Sequence, residues 1–337
     1  ASRGLGDVYK RQLYKFSLEY EPSEILQLEY NILLNKSDQY ENNDLTSMYG
    51  RQDNRMQETL DITRSQKPQS LNQEFKLYFT LADDHIFSFE AQHLDQEENP
   101  FSRAIRDRNP FTRLIPFSSS VNKYDVTQER LVHTAKLEAK LDYYYLLNDT
   151  SNINLSLGVT DVGQDFDSSF FQILDNGSLL NFNDPTFNND VNFDFSDAYI
   201  ALNYRLRTGI FTIDPGLTLH YYKTKNTQLG TSFERNISDV RPNLRINLQF
   251  KKSESLRLTY RKNTQFTDIN NLAEGFVFSN YNSIFQGNRE LEAAVVNNYN
   301  LNYRSINQFT FTNIFANANY SKRSNSIQSR ANINGID

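Results

Sequence analysis

The sequence predicts an all-β fold: an antiparallel, up-and-down transmembrane β-barrel wall of about twelve strands, read as an open partial barrel. Three observations carry that prediction. Apolar and polar residues alternate with period two in segment after segment. The connections between those segments alternate short and long along the whole chain. The polar side of each segment carries long charged side chains, which a wet lumen tolerates and a dry core or lipid does not.

Composition agrees. Only 38% of the 337 residues are hydrophobic, yet there are 20 Tyr and 25 Phe, with no Trp. A polar chain rich in Tyr and Phe suits one apolar skin rather than a thick interior. The formal charge of -6 lacks the basic footprint of a nucleic-acid binder. With no cysteine, disulfides and Cys-based zinc sites are excluded. No run reaches the roughly 18–20 apolar residues of a membrane helix, as expected of a chain that crosses with alternating strands.

Residues 1–12, ASRGLGDVYKRQ, share no pattern with the rest and resemble translated adapter sequence. They are set aside as a non-native leader, leaving 13–337 as the barrel portion. Tyr14, Phe16 and Leu18 alternate up to a turn at Glu21–Glu24, and Leu26, Leu28, Tyr30, Ile32 and Leu34 alternate away from it. A polar stretch at 41–70 reads as a long loop. Phe75, Leu77 and Phe79 enter the turn at Ala82–His85, and Phe87, Phe89 and Ala91 leave it. The next long loop is 95–128.

The same grammar continues. Leu137, Leu141 and Tyr143 face Ile153, Leu155, Leu157 and Val159 across a turn near Asn148–Thr150. After a loop at 164–196, Ile200, Leu202 and Tyr204 lead to a turn at Thr208-Gly209, then to Ile213, Leu217, Leu219 and Tyr221. A loop at 225–239 precedes Leu244, Ile246, Leu248 and Phe250, the turn Lys251–Ser255, and Leu256, Leu258 and Tyr260. Beyond the loop 264–294, Tyr299, Leu301 and Tyr303 alternate with Asn298, Asn300, Asn302 and Arg304. The last strand passes through Phe311 and Phe315. All short turns fall at one edge of such a sheet and all long loops at the other, which is the plan of a barrel with periplasmic turns and extracellular loops.

The residues expected to face the lumen are Lys136, Glu138, Lys140, Asp142, Arg245, Asn247, Arg257 and Arg261. In the loop 164–196, Phe170, Phe171, Phe182 and Phe187 are candidates to grip a ligand or partner, and packing among the loops explains them equally well. No catalytic pattern emerges. The four histidines are scattered, no nucleophile elbow or phosphate-cradling loop is present, and the acidic run from Asp161 to Asp197 lacks EF-hand spacing. No enzyme activity, metal or cofactor is expected.

The run IFQGNRELEAAVVNNYNLNY, residues 284–303, resembles a landmark of TonB-dependent outer-membrane receptors, in particular the β-barrel family abundant in Bacteroidetes. Gly287, Asn288, Leu291 and Glu292 fall in or near its Gly-Asn-Pro-x-Leu-x-x-Glu pattern, with Arg289 where the family carries proline. FDFSDAYIALNYRL (193–206), DPGLTLHYYKT (214–224) and RPNLRINLQF (241–250) are similar to the family's preceding strands in order and spacing. The resemblance implies a Gram-negative outer-membrane location and a barrel larger than this chain. It also implies a plug domain outside the chain through which the TonB complex acts, and uptake of a specific ligand. Its partners would be outer-membrane lipid, the TonB complex and a surface lipoprotein, with no nucleic acid. Two other readings stay open: a complete passive pore or membrane enzyme of about 12–14 strands, and a soluble β-rich binding protein.

Overall fold

Tyr, Phe, Ile, Leu and Val at every second position favour extended chain, because a branched or aromatic side chain packs well on a pleated surface. Strands of this kind, in a computed structural model that describes residues 2–4, 8–49, 56–109, 111, 114–182, 184–280 and 283–330, make up most of the molecule.

The first part of the chain forms β1 (Ser2–Gly4), β2 (Val8–Ser23), β3 (Leu26–Tyr49), β4 (Met56–Gln66), β5 (Gln69–Ala82), β6 (His85–Glu98) and β7 (Phe101–Arg106). The middle forms β8 (Tyr124–Asn148), β9 (Ser151–Ile173), β10 (Leu179–Asn181) and β11 (Asn188–Thr208). Then follow β12 (Phe211–Gln228), β13 (Thr231–Lys251), β14 (Glu254–Gln265), the short helix α1 (Ile269–Leu272), β15 (Phe276–Asn280), β16 (Ser283–Gln286), β17 (Ala294–Asn307) and β18 (Thr312–Ser324). Twelve long strands, β2, β3, β5, β6, β8, β9, β11, β12, β13, β14, β17 and β18, pair antiparallel with their sequence neighbours as one meander. Among the described residues β2 pairs only with β3 and β18 only with β17, so these strands form an open wall. The wall agrees with the expected fold class and strand number.

Register places the alternating residues on two faces. Ile200, Leu219 and Val240 stand in one row across β11, β12 and β13, and Leu202, Leu217 and Pro242 in the next. These apolar side chains are open to the surroundings, with Leu202 52% exposed. On β13 the outward series runs from Val240 to Phe250, and at about 3.3 Å per residue with a tilt of about 40° it rises about 25 Å, the height of a barrel's lipid band. Tyrosines mark one border: Tyr260, Tyr299 and Tyr320 line up across β14, β17 and β18 with ring centroids 4.8 and 5.8 Å apart.

Beyond that border the polarity of the two faces inverts. On β9, Asp161, Asp165 and Asp167 continue the outward series of Leu157 and Val159, and Phe166 and Phe170 continue the inward series of Ser156 and Thr160. Outside the lipid the outward face meets water and the inward face meets protein, so each face carries the opposite residues.

This inversion corrects the expected loops. Residues 225–239 are strand, joined by a two-residue turn at Leu229-Gly230 with φ of 51° and 71°. Positive φ at both turn positions is the type I′ geometry that matches the twist of a hairpin, and Leu-Gly lacks the Asn-Gly signature that announces it. The 41–70 stretch contains the upper half of β3 and all of β4, while 50–55 lie outside the described residues. The 95–128 stretch holds β7, which bridges β4 and β8. Much of 164–196 extends β9 and β11. Residues 8–12, set aside above, open β2 in register with 36–40. Residues 1, 5–7 and 331–337 lie outside the described residues.

Candidate functional site: the inner face and its extracellular mouth

The apolar core of the molecule sits at one end of the wall, on the inner face above the lipid band. Phe170, Phe182, Phe187, Phe278, Val126 and Ile62 belong to one buried cluster, and Phe166, Val191, Phe193, Ile269, Leu272 and Val277 to a second. Phe170, Phe182 and Phe187 are therefore interior residues, whereas Phe171, also buried, stands on the other face of β9 opposite Asn181 of β10. Phe182 lies 4.8 Å from Phe187 and 5.9 Å from Phe170, centroid to centroid. The packing partners of Phe170, Phe182 and Phe187 are other loop and strand aromatics, so packing among the loops accounts for these three.

Of the stretch 264–294, expected as an outer loop, the described residues between β14 and β17 instead fold onto the inner face as α1 and the paired strands β15 and β16. Apolar burial brings the segment in, and its backbone polar groups then need partners that lipid-free burial would otherwise deny them. Side-chain amides of the wall supply them. Gln128 of β8 donates from Nε2 to the Phe276 carbonyl at 2.9 Å, and the Phe278 N–H donates to its Oε1 at 2.7 Å. Gln228 of β12 donates to the Leu272 carbonyl at 2.9 Å and accepts from the Glu274 N–H at 3.0 Å. Asn189 of β11 accepts from the Gly275 N–H at 2.8 Å. Gln172 of β9 serves the 107–123 loop in the same way, accepting from the Ser118 N–H at 2.8 Å and donating to its carbonyl at 3.2 Å. Gln128 and Gln172 are fully buried.

Gly287 and Asn288 close this segment. The Gly287 N–H donates to the Ala273 carbonyl at 2.7 Å and the Asn288 N–H to the Asn271 carbonyl at 2.8 Å. A methyl group on Gly287 would collide with both of those carbonyl oxygens. Asn288 Oδ1 caps the Glu290 N–H at 2.8 Å, Leu291 packs against the second cluster, and Glu292 lies 3.8 Å from Arg235 of β13. Arg289 donates to Thr231 Oγ1 at 2.6 Å and also pairs with Glu274. It thus ties the segment to the β12–β13 turn through its guanidinium.

Within the lipid band the inner face is polar. Lys136 pairs with Glu138 at 2.9 Å and Lys140 with Asp142 at 2.6 Å, along β8. Arg245, Asn247, Arg257 and Arg261 lie together on β13 and β14, where Asn247 is registered with Arg257 and Asn243 with Arg261. The β13–β14 ladder stops at Asn243–Arg261. Past that point Asp239 holds the seam, accepting from Lys262 Nζ at 2.7 Å, Arg241 Nε at 2.9 Å and the Thr264 hydroxyl. His220 meets Asp197 at 3.0 Å beside it. A bowl of about 620 Å³ opens here, lined by β9, β11, β12, β13 and β14 with Tyr144 of β8.

Sequence reading brought the lumen candidates to the face opposite the apolar belt and missed the clasping amides. A lone Gln in a strand carries no signal of its own; the only clue was its place among inward Phe residues.

Outside the band three carboxylates depart from their ordinary range, with Asp184 held below it by the Thr186 N–H and hydroxyl. The Thr59 N–H and hydroxyl, both 2.7 Å away, hold Asp107 below it. Desolvation, then the neighbouring charges of Asp190 and Asp165, raise Asp167.

The model of the outer membrane protein beta-barrel family matches residues 79–336. No curated protein matches the chain. Among solved structures, the ferric-catecholate import receptor Fiu from E. coli K12 is similar with 8% identity and a TM-score of 0.50, covering 91% of this chain and 56% of that one. The alcaligin outer-membrane receptor FauA from Bordetella pertussis is similar with 12% identity and a TM-score of 0.49, covering 96% and 50%. The chain thus spans about half of either structure, and the likeness to Fiu is one of fold. With the lipid band, the meander and the family match in place, the chain belongs to the outer membrane protein β-barrel family and resides in the outer membrane of a Gram-negative bacterium.

Proposed function

We propose that this wall is part of a TonB-dependent receptor that takes up a specific ligand across the outer membrane. The observation that carries the reading is the inward-folded 266–293 segment. A passive pore keeps its lumen open, whereas here a buried, amide-clasped layer occupies the inner face at the extracellular mouth. The polar inner face, including Lys136, Glu138, Arg245 and Arg257, would then line the lumen, and a plug outside this chain would connect it to the TonB complex. A surface lipoprotein could seat on the extracellular loops.

The passive-pore alternative needs β2 and β18 to pair, and each has only one strand neighbour among the described residues. Reconstitution of the full-length protein in liposomes separates the two readings. A plugged receptor leaves liposomes stable in an isotonic pentose solution, and its ligand accumulates in cells only while the inner membrane is energised. Rapid swelling in the pentose, with ligand entry unaffected by an uncoupler, would establish a pore instead.

A further inference from the structure

We propose that the bowl on β9 and β11–β14 is a binding site for a small multivalent oxyanion, carboxylate or phosphate. The proposal rests on the reading that this face lines the lumen. The cavity, about 620 Å³, falls in the range of about 300–1,000 Å³ typical of small-molecule sites.

Its rim is cationic. Arg205, Arg241, Arg245, Arg261 and Lys262 line it, against a single lining carboxylate, Asp214. Asp214 pairs with Arg205 at 2.7 Å and approaches Arg245 at 3.9 Å. Asp239 lies behind Arg241 and Lys262, and Asp197 behind His220. With His220 neutral, counting both of those carboxylates still leaves an excess of two positive charges. Arg261 has no carboxylate partner among the described residues, although guanidinium forks suit planar, two-oxygen acceptors.

Its floor is built from amides. Asn203 and Asn243 meet across Gly216, with Asn243 Nδ2 3.4 Å from Asn203 Oδ1. A methyl group on Gly216 would collide with both side chains, so the glycine is what keeps the floor low. Asn154, which also lines the bowl, carries a buried Nδ2 with no acceptor among the described residues. Cationic forks above and the unused Asn154 amide below make an environment of donors, and a ligand rich in acceptor oxygens and negative charge matches it. Arg241 and Arg245 are four residues apart on β13, about 13 Å along the strand, so the site spans more than one anionic group.

The test is titration calorimetry of the purified full-length protein in detergent, with propane-1,2,3-tricarboxylate and inorganic pyrophosphate as probes. Propane-1,2,3-tricarboxamide serves as the neutral control. At least one anion should bind while the triamide does not, and the tighter of the two anions identifies the carboxylate or phosphate source. Arg261→Gln should weaken binding about tenfold, the value of one charge-assisted hydrogen bond. Lys223→Gln, which removes a charge from the outward face, should leave affinity unchanged. Near-ultraviolet dichroism of each variant reports that the wall is intact. Absence of binding by both anions, equal binding of the triamide, or equal loss in both variants overturns the site. Because the titration needs no energised membrane, its outcome is independent of whether uptake depends on TonB.

Discussion

Gln228 condenses the architecture of the mouth into one side chain, since a single amide satisfies both a carbonyl and an N–H of the inward-folded segment. Gln228→Ala leaves both groups unpaired, at a cost of about 1–3 kcal/mol each. Hydrogen exchange at the Glu274 amide should accelerate sharply in that variant while exchange in β12 below Tyr222 stays slow. Unchanged exchange at Glu274 would show that the segment is held by its apolar contacts alone. The carboxylates outside the lipid make a second residue-scale prediction. Asp107 has a depressed folded pKa, so the stability its contact with Thr59 contributes is present above its unfolded value of 3.8 and is lost as pH falls through the lower folded value. Protection of the Thr59 amide, its exchange measured relative to the intrinsic rate at each pH, should therefore fall only below about pH 4 and should not change with pH in Asp107→Asn. On the outward face Asp167 is registered directly opposite Asp190. Solvent screening limits that repulsion to a few tenths of a kcal/mol, so Asp190→Asn should lower the Asp167 pKa, read by carboxylate NMR, with a small gain in stability.

At the scale of the element, the strands were legible wherever the two faces meet lipid and water. Leu217, Leu219 and Tyr221 alternate with Thr218 and His220, and the period-two reading found β12 there. It failed from Tyr222 onward, where Lys223 and Lys225 face outward and Tyr222, Asn226 and Gln228 face the loops. The strand continues unchanged; only the environments on its two sides have changed. A polar-rich stretch of extended chain then looks like loop, and so 225–239 was misread while the hairpin at Leu229-Gly230 went unseen. The same boundary predicts the effect of charge. Leu217→Arg places a guanidinium in the middle of the lipid band and should destabilise the folded wall by about 2–4 kcal/mol. Leu131→Arg, on the outward face of β8 above the inversion, should cost close to nothing. Urea titration of the protein in lipid vesicles measures both, and equal costs would remove the lipid border from where the polarity inversion puts it.

For the whole molecule, the alternating pattern and the number of long strands were readable because a barrel wall repeats one physical rule at every position. The mouth was not readable, because it depends on tertiary pairings between Gln128, Asn189 and Gln228 and a segment up to 150 positions away. The landmark run 284–303 was recognisable as a pattern, and the structure supplies its reason: Gly287 and Asn288 return the chain against α1, and Arg289 fixes it to the β12–β13 turn.

The central claim is that one face of this wall meets lipid and the other does not. The chain has no cysteine, so single Cys variants report without background. A fluorophore on Leu217→Cys or Leu301→Cys of the full-length protein in vesicles should be quenched strongly by lipids brominated near the bilayer centre. The same label on Thr218→Cys or Asn302→Cys, one residue along each strand, should be nearly unaffected. Equal quenching at neighbouring positions, or stronger quenching at Thr218 and Asn302, would contradict the assignment of the faces and with it the inner site.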